Sequence, residues 1–295
     1  MDLAVVTQLG QDIEALALLG TQFDDVLITT RNEHALISER GGYASLQTTA
    51  MPFRVSSRRV SLRIDPIAPL TLSRSAINFD KKLPGSIVAS SPSDSIHHRV
   101  QFVNDYDERV AKSLDQNPTC YAPLDTTDHP SENVVPLNAV RQARVNWECG
   151  DAGMHLNDLL RSNGELRRQC LPYLGENKAW QVLTPVLRSF LTYLKDRELP
   201  FARMVPSGGV LQAQSGAIKK LDQFGDVWIM GDGRSMFTLD LSGLHELWVI
   251  ASKHHWQLEL YSKVGKCFAV LSSDPWSASA SWREVLASLP RLRCD

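Results

Sequence analysis

His97-His98-Arg99-Val100-Gln101-Phe102-Val103-Asn104-Asp105-Tyr106 and His254-His255-Trp256-Gln257-Leu258-Glu259-Leu260-Tyr261-Ser262-Lys263 share one grammar: a histidine pair, a run with apolar residues at every second position, then a polar turn. That alternation is the pattern of a half-buried strand. A second apolar stretch follows each turn, Val110-Ala111-Lys112-Ser113-Leu114 in one and Phe268-Ala269-Val270-Leu271 in the other. Each copy therefore reads as a β-hairpin. Upstream, Ala35-Leu36-Ile37 before Gly41 matches Val210-Leu211-Gln212 before Gly216. The copies are offset by 175 residues at that pair (210 − 35) and by 157 at the histidines (254 − 97), which puts 18 extra residues in the first half, after Asp65. Hairpins have exposed edges and an apolar face. Two copies packed together cover those faces, so one pseudo-symmetric body is expected, with a first repeat over 1–130 and a second over 131–295 that begins with additional helices.

The rest of the chain fits that frame. Leu9, Ile13, Leu16 and Ala17 recur at helical spacing, and Gly20 offers a stop. Val26-Leu27-Ile28-Thr29, Ala35-Leu36-Ile37 and Arg59-Val60-Ser61-Leu62-Arg63-Ile64 read as strands, the last half-buried. Residues 73–95 are weakly patterned and read as a long loop, and the proline-punctuated 116–136 reads as a linker. Leu156, Leu159 and Leu160 share a helical face. Residues 166–174 read as a short helix, 180–194 as an amphipathic one, and 281–289 as the last. Strands are expected between, from Gly209-Val210-Leu211-Gln212 through Cys267-Phe268-Ala269-Val270. The fold class is α+β, with helix plus antiparallel sheet in each repeat.

Composition excludes several classes. The 295 residues are 43% hydrophobic and 22% charged, which suffices for a core without staples. A formal charge of −2 leaves no broad basic field for nucleic acid or anionic membrane. No apolar run is long enough for a membrane span, and no secretory signal is expected, so the reading is cytoplasmic. Cys120, Cys149, Cys170, Cys267 and Cys294 are odd in number and never at Cys-x-x-Cys spacing, as in a reducing compartment. Neither histidine pair can chelate one ion alone, because neighbours on a strand point to opposite faces. No nucleophile elbow or phosphate loop is present; Gly231-Asp232-Gly233-Arg234 is too short.

Several segments resemble the HemS-like haemin-utilisation family, including its ChuX-type members. Ile28-Thr29-Thr30-Arg31-Asn32-Glu33-His34-Ala35 with Glu39-Arg40-Gly41 is similar to the first-repeat signature. Arg99-Val100-Gln101-Phe102 resembles an Arg-Ser-Leu-Gln-Phe-Phe strand. In the second half, Trp147, His155, Leu159-Leu160-Arg161, Leu166-Arg167-Arg168-Gln169-Cys170-Leu171, Ser215-Gly216-Ala217-Ile218-Lys219-Lys220-Leu221 and Glu246-Leu247-Trp248-Val249-Ile250 follow in the family's order. The resemblance implies two repeats with a haem cleft between halves, and a protein that degrades haem or handles it to release iron.

It also implies roles. His155 matches the axial ligand; haem iron takes a neutral imidazole nitrogen. Arg99 matches an arginine that faces the haem from the opposite half, where it would hold an iron-bound ligand or a propionate and so act in catalysis. Arg167, with Arg168 and Lys219 beside it, would meet the propionates. The expected ligand and cofactor is haem, and the expected partners are a haem-uptake transporter or a downstream haem-handling protein. Two alternatives stand beside an enzyme: a trafficking chaperone without turnover, and a diverged member that no longer binds haem. The second is motivated by Pro69-Leu70-Thr71-Leu72-Ser73-Arg74 and Ser272-Ser273-Asp274-Pro275-Trp276, which replace cleft segments of the family.

Overall fold

The computed structural model describes residues 6–10, 13–45, 47–48, 55–56, 59–75, 85–91, 95–113, 137–148, 154–160, 165–252, 255–273 and 279–292. In the first half, β1 (Val6–Gly10) precedes α1 (Ile13–Gly20), and β2 (Val26–Arg31) and β3 (Ala35–Gly41) form a hairpin. Then come β4 (Gln47–Thr48), β5 (Ser61–Ile64), β6 (Thr71–Ser75), β7 (Ser86–Ser90), β8 (Ile96–Phe102) and α2 (Asp105–Ala111). Helices α3 (Leu137–Glu148), α4 (Asn157–Leu160) and α5 (Glu165–Cys170) lead into the second half. It runs β9 (Ala179–Val182), α6 (Val186–Asp196), β10 (Phe201–Ser207), β11 (Val210–Gly216), β12 (Lys220–Phe224), β13 (Val227–Gly231) and β14 (Ser235–Asp240). It ends with β15 (Glu246–Ala251), β16 (Trp256–Tyr261), β17 (Cys267–Ser273) and α7 (Ser279–Ala287).

The strands build two sheets, nine-stranded β1-β6-β7-β8-β2-β3-β14-β13-β12 and eight-stranded β4-β5-β11-β10-β17-β16-β15-β9. Read from opposite ends, they are one sheet twice. β1, β6, β7, β8, β2 and β3 correspond to β9, β15, β16, β17, β10 and β11. Each half also completes its partner's sheet. β14 of the second half pairs with β3, and β5 of the first pairs with β11. The register repeats with the pairing. Ala35 lies opposite Leu239 and Val210 opposite Ile64, and both equivalent positions are 175 residues apart (210 − 35 and 239 − 64). The offset read from the sequence is therefore the symmetry of the fold, and the halves are joined by exchanged strands.

Three core clusters follow. One packs α6 and α7 against β10, β14 and β15, around Leu187, Leu194, Phe201, Phe237, Leu247 and Trp282. Its counterpart packs α1 against β2, β7 and β8, around Leu16, Phe23, Val26, Ile28 and Phe102. The third lies on the opposite face of the eight-stranded sheet, where Leu156, Leu159 and Leu160 meet Met204, Leu211, Trp248 and Tyr261. The shared face expected for those three leucines is buried there.

Some expectations are corrected. After β8 comes helix α2, not a second strand. Asn104 is an extended N-cap whose side chain accepts from the Asp107 amide, and acidic residues fill the first turn, which favours a helix start. β8 thus corresponds to β17 rather than to β16. Residues 73–95 contain parts of two strands, β6 and β7, rather than one loop. Trp180 and Val182 belong to β9, because α6 begins only after Pro185. β5 is buried on both faces, not one. The expected linker 116–136, and Cys120, Cys149, Cys294 and His254, lie outside the described residues.

Candidate functional site

β16 alternates. Leu258 and Leu260 enter the core with α6 and α7, so Gln257, Glu259 and Tyr261 point to the other face, under α4 and α5. Three polar side chains beneath a helical layer demand partners, since burying them unpaired is costly. Arg167 of α5 supplies the first. Its Nε lies 2.9 and 3.0 Å from the Glu259 oxygens and its Nη2 2.6 Å from Oε1. The pair is closed off from water, at 6% and 0% exposure. Burial alone would weaken the guanidinium's hold on its proton; the Glu259 carboxylate outweighs it and raises the Arg167 pKa. Tyr261 donates its hydroxyl to Glu259 Oε2 at 2.5 Å, and the Gln257 amide donates to Oε1.

His155 sits in a one-turn 3₁₀ segment, Met154–Leu156, directly before α4. Arg167 Nη1 donates to its carbonyl oxygen at 2.9 Å, fixing the turn on the ion pair. The His155 ring lies 2.9 Å from Gln257 through Nε2 and 6.0 Å from the His255 ring. Burial and the nearby Arg167 cation hold its pKa well below the usual imidazole value, so the ring is neutral. Across from this turn stands Arg63, on the β5 strand lent by the first half. Its Nε donates to Asn157 Oδ1 at 2.8 Å, two residues after His155, and burial lowers its pKa to about 10. Arg63 also bears on His155 electrostatically. The covering helix α3 has no buried side chain among its described residues, although Arg144 donates to the Tyr173 carbonyl.

The sequence-predicted residues fall in three places. His155 and Arg167 are brought together. Arg99 is exposed on the outer face of the nine-stranded sheet, opposite Thr29 and Val88. Lys219 is exposed and paired with Glu198 at 3.2 Å. Arg168 pairs with Glu246, which also accepts from Trp248 Nε1 at 2.8 Å. Sequence reading missed Arg63, Gln257 and Glu259. Their signal is a charged or amide residue inside an apolar run, which alternation alone assigns to the solvated face. A second concavity, a cleft of 790 Å³, opens between the halves at the turns that carry Asn32, His97, Ser207 and Phe268. Among the described residues no helix is long and apolar enough to cross a membrane, and no cluster of three or more His, Cys, Asp or Glu side chains could hold a metal ion.

Fold and site together define a two-repeat α+β protein of HemS-like architecture, the one the sequence motifs implied. The chain superposes on PhuS of Pseudomonas aeruginosa, described as a heme-binding protein, with TM-score 0.77 and 20% identity, over 97% of this chain and 87% of that one. It superposes on ChuS of Escherichia coli, described as a heme oxygenase, with TM-score 0.75 and 17% identity, over 96% and 88%. No protein-family model and no curated protein sequence matches it.

Proposed function

We propose that this chain binds haem and handles it in haem iron use, with His155 as the axial ligand and Arg63 as the cation facing it from the opposite half. The observation that carries this reading is a buried, neutral imidazole set in a charged network on the face where strands of both halves meet. A network of this kind orients a metal-bound histidine through its hydrogen-bonded partners. The likeness to PhuS and ChuS in fold supports it.

The residues fit the group. The imidazole is neutral, as iron requires. To reach the iron, His155 exchanges its bond to Gln257 for the metal. The cover over the site gives up little apolar area when it lifts, because α3 buries no side chain. Arg167 already matches its charge with Glu259, so in this reading it positions the His155 turn rather than meeting a propionate. Arg63 meets the macrocycle's carboxylate or iron-bound ligand instead. Arg99 and Lys219 are not needed. Bound haem would supply the iron that activates dioxygen if the ring is opened, and would be cargo if it is passed on.

Haemin titration followed by the Soret band tests this. His155→Ala should remove one bound equivalent, and Arg63→Ala should weaken that same equivalent. An unchanged stoichiometry and Soret maximum in His155→Ala would sink the ligand assignment. Conversion to a verdohaem or biliverdin spectrum with ascorbate marks degradation; a persistent Soret band marks delivery.

A further inference from the structure

The cleft between the halves is built by four turns, β2–β3 and β7–β8 from one half and β10–β11 and β16–β17 from the other. These are two symmetry-related pairs. Asn32 and Ser207 stand at the tips of equivalent hairpins, again 175 residues apart (207 − 32). The cleft therefore straddles the pseudo-two-fold axis. At 790 Å³ it has the size of a small-molecule site, for which roughly 300–1,000 Å³ is usual.

Its side chains break the symmetry in a chemically specific way. Thr29 lies opposite Arg99 as Met204 lies opposite Val270, so His97 occupies the place that Phe268 takes in the other half. One wall is thus an imidazole and its counterpart a phenyl ring. His97 Nδ1 lies 2.7 Å from Ser207 Oγ, and Ser207 gives its only proton to the Arg31 carbonyl at 2.5 Å. Ser207 must then accept from Nδ1–H, which leaves Nε2 of His97 as a bare acceptor. Nε2 has no hydrogen-bond partner among the described residues. Arg31 and Lys266, one from each half, line the same cleft, and burial together with these two cations lowers the His97 pKa and keeps the ring neutral. Ile96, Pro206 and Phe268 supply apolar wall, and Glu33 is the one carboxylate among the described lining residues.

A neutral imidazole nitrogen, two cations from opposite sides and an apolar wall suit a flat organic dianion that carries a metal. We propose that this cleft is a second tetrapyrrole site, distinct from the His155 cluster. His97 Nε2 ligates the iron when the occupant is haem, and Arg31 and Lys266 meet the two carboxylates. The proposal rests on the haem-handling reading for its ligand class, and on separate residues for its site.

The test is haemin titration of the full chain as wild type, His155→Ala, His97→Ala and the double variant, with His97→Asn as a control. Asparagine keeps a donor for Ser207 and offers iron no imidazole. Two equivalents in the wild type, with one lost in each single variant and both in the double, support the proposal. One equivalent lost with His155→Ala and untouched by His97→Ala overturns it and leaves the proposed function standing. One equivalent lost only with His97→Ala and His97→Asn upholds the cleft and sinks the His155 assignment. No binding by any form overturns both. Metal-free protoporphyrin IX separates the carboxylate contacts from iron. Its binding to His155→Ala protein should survive His97→Ala and weaken about tenfold or more when Arg31 and Lys266 are both replaced by alanine. Binding indifferent to the two cations also overturns the proposal.

Discussion

Asn32 of the first half donates from Nδ2 to the carbonyl oxygen of Pro206 in the second, at 2.9 Å. The same amide donates to Phe268 O at 2.8 Å, while Oδ1 accepts from the His34 and Ala35 amides at 3.1 and 2.9 Å. One side chain therefore closes its own hairpin turn and ties it to two strands of the other half. Asn32→Ala should cost about 2–4 kcal/mol in urea unfolding, since partly buried carbonyl and amide groups lose their partners. Asn32→Asp should not rescue it. Aspartate can still accept from the two amides, but it places negative charge against two carbonyl oxygens. Wild-type stability in Asn32→Asp would show that the donor side of the amide does not matter.

Glu259 and Arg167 are the second relationship with a measurable consequence. Glu259→Ala leaves a guanidinium buried at 6% exposure without its carboxylate, and should cost about 3–5 kcal/mol. Replacing both, as Arg167→Met with Glu259→Leu, should recover most of that loss, because the penalty comes from the orphaned charge rather than from the pair's own contribution. Chemical denaturation of the three variants measures it. A double variant as unstable as the single would refute the account. The recovered double variant should still bind haemin poorly at His155, whose carbonyl is held by Arg167.

Gly208 makes a third case. It has φ +54, and a Cβ there would stand 2.6 Å from the His97 ring. Gly208→Ala therefore meets both left-handed strain of about 1–2 kcal/mol and a displaced imidazole. The variant should stay folded, melt at lower temperature, and bind protoporphyrin IX more weakly in a His155→Ala background. Unchanged porphyrin binding would place the ligand away from His97.

Much of the fold was legible because duplication leaves a trace in the sequence. The 175-residue spacing of Ala35 and Val210 is the offset that the sheets obey. The burial of Leu156, Leu159 and Leu160 was likewise written in their spacing. The exchange of β5 and β14 was not, since pairing between distant strands leaves no local pattern. Nor was α2, where apolar Val110 and Ala111 suggested a strand and the Asn104 cap decided for a helix. At the site, His155 could be found by its place between a tryptophan and a leucine pair. Arg63 could not. In Arg59-Val60-Ser61-Leu62-Arg63-Ile64 it looks like the wet face of a half-buried strand, and only the helical layer over the eight-stranded sheet makes that face dry. Arg99, in the better-matching motif, lies exposed on the other sheet.

Arg203 and Glu39 give the last prediction. Arg203 is fully buried, and none of its three guanidinium nitrogens has a hydrogen-bond partner among the described residues; Glu39 Oε2 is also without one. Burial, with Asp232 adding to it, pushes the Glu39 carboxyl up from 4.5 to about 7, against the pull of Arg234 and Arg203. The folded chain therefore holds a proton that the unfolded chain releases above its ordinary value. The stability linked to Glu39 is complete below about pH 4.5, falls as pH rises through 7, and is level beyond. The difference across that window is roughly 3 kcal/mol. Glu39→Gln keeps the shape and cannot ionise, so it should lack this slope. Relative to wild type, the variant should gain stability between pH 5 and pH 8 in urea unfolding. Parallel pH profiles for the two proteins would mean that Glu39 titrates in the folded state as it does in the unfolded chain.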